Sequence, residues 1–171
     1  MLRRETKLPI SKDFLISIVA GSEAGIATTA AIIVGLSIGT DDRQVVTVSA
    51  LIAIVIQAFN SAVSTVLTAH TLDEIEHNRD MNSLIKPLTQ GGVQFLMHML
   101  MGLLVLLPMV YVTELEIAMV SSVGVALVLL IWIGLFIGFL VRHTPLRNSI
   151  QSFVLGMLII IGGFLAGYVI N

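Results

Sequence analysis

Residues 117–141 read IAMVSSVGVALVLLIWIGLFIGFLV, an unbroken run without one charged side chain. About 20 such residues, wound at about 1.5 Å each, cross the ~30 Å hydrocarbon core of a bilayer. The run reads as a transmembrane helix, because a helix satisfies its backbone hydrogen bonds within one segment. Working outward, four more stretches of the same kind lie at residues 14–38, 45–69, 88–112 and 149–170. Charged or turn-forming residues bound them, among them Asp41, Asp42, Arg43, Glu114 and Pro145. The predicted fold class is all-α and integral to the membrane: a five-transmembrane-helix bundle forming one domain over residues 1–171. Residues 70–87 are expected to form a short cytoplasmic helix extension of the second span. The expected setting is the lipid bilayer of a prokaryotic cell membrane.

Composition narrows the function classes. Charged residues make up 12% of the chain and the mean hydropathy is +0.99, whereas a soluble domain carries about 25% charged residues. Cysteine is absent, which excludes disulfides, iron–sulfur clusters, thiolate zinc sites and a cysteine nucleophile. Any metal must be held by oxygen, imidazole or thioether. A net charge of -2 and a pI near 6.0 supply no basic field for nucleic acid. No Gly-x-Ser-x-Gly, His-Glu-x-x-His or phosphate-loop pattern occurs, so an enzyme is not expected.

Of the nine Lys and Arg residues, Arg3, Arg4, Lys7, Lys12, Arg79, Lys86, Arg142 and Arg147 fall on one side of the five spans and only Arg43 on the other. Positive residues stay cytoplasmic, which predicts a cytoplasmic N-terminus and a C-terminus outside. The first span is too long for a signal peptide and contains Glu23, so it is expected to be retained. Gly21-x-x-x-Gly25, Gly35-x-x-x-Gly39, Gly134-x-x-x-Gly138 and Gly163-x-x-x-Gly167 are candidate helix contacts, since a missing side chain lets backbones approach.

Ten of the eleven acidic residues lie in tails or loops, and the eleventh is Glu23, about 14 Å into the first span. An ionised carboxylate at that depth is costly, and no intramembrane Lys or Arg offsets it. It can exchange a proton for a cation. The second span carries Gln57, Asn60, Ser61, Ser64 and Thr68 on one helical stripe, and the third carries Gln90, Gln94, Met97, His98 and Met101. Carbonyl, imidazole and thioether atoms on these stripes suit cation coordination. The alternative is plain hydrogen bonding between helices, with the methionines as gap fillers. Just beyond the second span, His70, Asp73, Glu74 and His77 share one face if the helix continues, presenting imidazole and carboxylate to a divalent ion. The alternative there is a solvated juxtamembrane face.

The run Val19-Ala-Gly-Ser-Glu23-Ala-Gly25-Ile-Ala-Thr28-Thr29 resembles the first-helix signature of the vacuolar iron transporter family, an Asp-Gly-x-x-Asp-Gly-x-x-Thr-Thr pattern matched at Gly21, Gly25, Thr28 and Thr29. Gln57-Ala58-Phe59-Asn60-Ser61-Ala62 stands where that family has its Ala-Asp-Ala-Leu-Ser-Met-Gly-like segment. Pro145-Leu146-Arg147, leading to a Gly-rich last span, is similar to its fifth helix. The resemblance implies a homodimer of five-helix protomers that moves ferrous or manganous ion out of the cytoplasm in exchange for protons. Ala20 and Ala24 occupy the two signature Asp positions, Ser61 the position of the second-helix Met, and residues 70–87 replace a long Glu-rich metal-binding insert.

Together these point to a proton-coupled exporter of a divalent cation, Fe2+ or Mn2+, with no resident cofactor. Its candidate metal residues are Glu23, Gln57, Asn60, His98, Met101, His70, Asp73, Glu74 and His77. The competing expectation is a non-transporting membrane scaffold or complex subunit of the same fold.

Overall fold

The computed structural model describes residues 11–75, 84–141 and 145–170. Five helices account for them: α1 (Lys12–Gly39), α2 (Arg43–Ile75), α3 (Ile85–Tyr111), α4 (Leu115–Val141) and α5 (Pro145–Ile170). Each is long and apolar enough to cross a membrane, as the hydropathy of the five stretches predicts. Two starts fall three or four residues earlier than expected, at Ile85 and Pro145. Both involve proline in a first turn, where the missing N–H costs nothing because it would have no intrahelical partner. Pro145 opens α5 and Pro87 lies three residues into α3, so residues 85–87 belong to α3 and not to the extension of α2.

α1 is the axis of the bundle. In its most apolar stretch 56% of residues are buried, against 22–28% in the other four helices, and it packs on all of them. Glycine makes two of these contacts possible. A Cβ on Gly21 would stand 2.6 Å from the Gln94 carbonyl oxygen, so α1 and α3 meet backbone to backbone. On another face Gly163 abuts Ala31 and Gly167 abuts Gly35, so α1 and α5 advance in step, four residues at a time. Such approach is what holds helices together where lipid and side chain are equally apolar. Gly39, by contrast, meets nothing within 4 Å. Ile26, Ile33, Ile54, Val105, Met109 and Leu130 fill the core, while Leu96, Trp132, Phe139 and Val169 point outward, as a lipid-facing surface requires.

Polar bonds close both ends. Lys86 Nζ pairs with Asp13 Oδ2 at 2.8 Å, joining the starts of α1 and α3. At the opposite end Asp42 caps α2, its Oδ1 accepting from Gln44 N at 2.8 Å. Nearby, Nη1 of Arg43 donates to the carbonyls of Met109, Val110 and Val112 at 3.0, 3.3 and 2.8 Å. The first two are carbonyls that the end of α3 leaves without an intrahelical partner, and a cation there also complements the helix dipole.

Candidate functional site

The polar stripes of α2 and α3 face each other. Gln94 Nε2 donates to Ser61 Oγ at 2.5 Å. Thr65 Oγ1, 2.5 Å from Gln94 Oε1 and 3.0 Å from the Ser61 carbonyl, donates from the next turn of α2. One level away the rings of Phe59 and Phe95 pack with centroids 4.8 Å apart. Amide and hydroxyl bonds of this kind fix the rotation of the two helices about their own axes, because any other rotation would leave the Gln94 amide unpaired in an apolar medium.

Beside that contact lies a cavity of about 240 Å³. α2 contributes Gln57, Asn60, Ser61 and Ser64, α3 contributes Gln94 and His98, and α1 closes it with Ala24 and Thr28. His98 is 1% exposed, and neither ring nitrogen has a hydrogen-bond partner among the described residues. A buried imidazole with both nitrogens unpaired is costly where it only packs, and purposeful where it ligates. The Thr28 hydroxyl is committed to the Ala24 carbonyl at 2.6 Å. The cavity thus offers amide and hydroxyl oxygens with one imidazole nitrogen, a neutral donor set that suits a borderline first-row cation. Its outer wall is open: Gln57, Asn60 and Ser64 are exposed at membrane depth on α2.

Gln57, Asn60 and His98 are therefore brought together in one cavity, but Glu23 and Met101 are not. Glu23 stands on the far side of α1, accepting a 2.5 Å hydrogen bond from Ser152 Oγ of α5. It lines a separate cavity of about 240 Å³ with Val19, Ile137, Asn148, Gln151, Ser152 and Leu155. At about 100° per residue it lies some 180° from the Gly21–Gly25 face, and that face is the one laid against Gln94 and His98. Met101 turns, with Met97, toward α4. There the two thioethers line an apolar cavity of about 330 Å³ with Trp132 and Phe136, the setting of packing methionines.

Beyond the bundle, α2 continues to Ile75, so the helical register expected for His70, Asp73 and Glu74 is present. His77 lies outside the described residues. Among the described residues no three His, Asp or Glu side chains form a group that could hold a metal ion. Thr65, Asn148, Gln151 and Ser152 join the polar contacts without having been among the candidates read from the sequence. A signal for the last three was present, since they recur at i, i+3 and i+4 at the start of the last span. A further cavity, about 710 Å³, lies farther along α1 and is apolar, lined by residues such as Ala31, Gly35 and Gly163.

Compared with known proteins, the chain matches the family model described as the VIT family over residues 53–168, more than half its length. No curated protein matches it.

Proposed function

The chain belongs to the VIT family, a family of membrane metal-ion transporters, and on that premise we propose that it exports a divalent cation, Fe2+ or Mn2+, from the cytoplasm in exchange for protons. The observation that carries this reading is the polar cavity at mid-membrane, built from both stripes around the unpaired imidazole of His98. In it Gln57, Asn60, Ser61 and Ser64 supply oxygens, and His98 supplies the nitrogen that favours a first-row transition ion over an alkaline-earth one. Gln94, bonded to Ser61 and Thr65, positions α3 against α2. His70, Asp73 and Glu74 at the end of α2 gather cations before entry.

The open wall supports a homodimer. Gln57, Asn60 and Ser64 would face hydrocarbon in a lone protomer, at a cost that a second copy of α2 removes. The N-terminus is assigned to the cytoplasm by the Lys and Arg asymmetry. Glu23, the one acid at mid-membrane depth, supplies the charge for exchange, from its own cavity across α1.

One observation favours a scaffold instead: among the described residues no carboxylate lines the cavity, and its α2–α3 bonds would serve as well to glue helices. Purified protein in liposomes separates the two. A carrier raises Mn2+ or Fe2+ uptake above that of empty liposomes and is stabilised thermally by the same ion, because a ligand that binds only the folded state raises its melting temperature. Absence of both effects for Fe2+, Mn2+, Co2+, Zn2+ and Cu+ leaves the scaffold.

A further inference from the structure

We infer that Glu23, Ser152, Asn148 and Gln151 form a second cation site, for a singly charged ion, on a different face of α1 from the one that lines the transition-metal cavity. This deepens the exchange reading given above and rests on it for the role of the ion, though not for its binding.

The site begins with helix geometry. Glu23 and Ala24 are successive residues, so their side chains leave α1 about 100° apart. Ala24 faces the α2–α3 cavity, and Glu23 faces α5. The glycines of α1 keep the two compartments apart, because Gly21 and Gly25 seat the helix backbone directly on α3. A cation beside Glu23 therefore does not share ligands with one beside His98.

The donors around Glu23 are all oxygen-bearing: a carboxylate, the Ser152 hydroxyl and the side-chain amides of Asn148 and Gln151. Oxygen donors without imidazole or thioether select hard cations. Charge then sets valence. Among the described residues Glu23 is the only ionisable one lining the cavity, whose other walls are Val19, Ile137 and Leu155. One negative charge is cancelled by one positive charge, so the carboxylate and a singly charged ion form a neutral pair within the membrane. A proton and Na+ both have this chemistry. Access is built in: Gln151 is exposed, about 9 Å along α5 from Pro145, on the membrane side where α1 and α3 also begin. The Ser152 bond ties the carboxylate to α5, in the cavity that Gln151 also lines.

The test is a set of melting curves on the full chain in detergent, run against Na+ with choline replacing it at constant ionic strength, and against pH without Na+. The parent, Glu23→Gln, Glu23→Asp, Ser152→Ala and His98→Leu proteins are compared. One of the two titrations should stabilise the parent, vanish in Glu23→Gln and weaken about tenfold in midpoint in Ser152→Ala. It should persist in His98→Leu. The Na+ series identifies a sodium site. A pH response that differs between parent and Glu23→Gln, with no Na+ response, identifies a proton site. Should Glu23→Gln fail to fold, Glu23→Asp and Ser152→Ala carry the comparison, since each changes the ligand set while keeping a polar group or a small side chain. Titrations that are identical in parent and all Glu23 and Ser152 variants overturn the site. The transport reading fails separately, when Mn2+ neither stabilises nor crosses with the parent while the Glu23-dependent effect is intact.

Discussion

Gly25 of α1 and His98 of α3 touch through their backbones: a Cβ on Gly25 would stand 2.5 Å from the His98 carbonyl oxygen and 2.9 Å from its Cα. The neighbour is main chain and cannot rotate aside, so Gly25→Ala must separate the two helices. Overpacking of this kind costs about 1–3 kcal/mol. Thermal unfolding in detergent should show that loss, and Mn2+ stabilisation should fall with it because the same backbone carries the imidazole. Gly39→Ala is the matched control, since nothing lies within 4 Å of that position; it should be neutral or slightly stabilising.

Arg43 is expected to matter more than an exposed charge usually does. Its guanidinium donates to carbonyls of Met109, Val110 and Val112, on another helix end. Hydrogen bonds from charged groups contribute about 1.5–3 kcal/mol, so Arg43→Ala should lower the melting temperature clearly. Arg43→Lys should recover only part of the loss, because the lysine side chain is shorter and its Nζ stops short of the Nη1 position from which all three carbonyls are reached. Equal melting for all three proteins would show that the contact contributes nothing.

His98 gives opposite signs for stability and binding. Leucine at this position removes an unpaired buried imidazole and keeps most of the volume, so His98→Leu should fold with parental or greater stability. The same protein should lose Mn2+-dependent stabilisation and flux. A His98→Leu variant that still binds and moves Mn2+ as the parent does removes the imidazole from the site.

Orientation has its own check. Reporter fusions after Lys86 and after Asn171 should fall on opposite sides of the membrane, the first cytoplasmic, given the distribution of Lys and Arg. Fusions on the same side would remove the assignment of the N-terminus to the cytoplasm.

Joint replacement of His70, Asp73, Glu74 and His77 by Ala should weaken metal uptake at low concentration while the protein still melts cooperatively in detergent. Uptake unchanged across a metal titration would return this end of α2 to simple solvation.

The sequence alone determined the five spans, their alternation and the residues that share a stripe on each helix. Span length is dictated by bilayer thickness, and stripe membership by the 3.6-residue turn, both local properties. Gln57, Asn60 and Ser61 could be grouped on α2, and Gln94 and His98 on α3, without knowing what either helix touched. Only the tertiary structure decided how each helix is rotated against its neighbours. In a bilayer that rotation has little hydrophobic contrast to guide it, and it is set by backbone contacts such as Gly25 on His98 and Gly163 on Ala31. Those contacts joined the two stripes, turned Met97 and Met101 to α4, and placed Glu23 beside Ser152, across α1 from His98. Arg43 is the plainest case. Its charge and position mark a helix start in the sequence, but its partners lie at least 66 residues away along the chain, where only packing brings the end of α3 within reach.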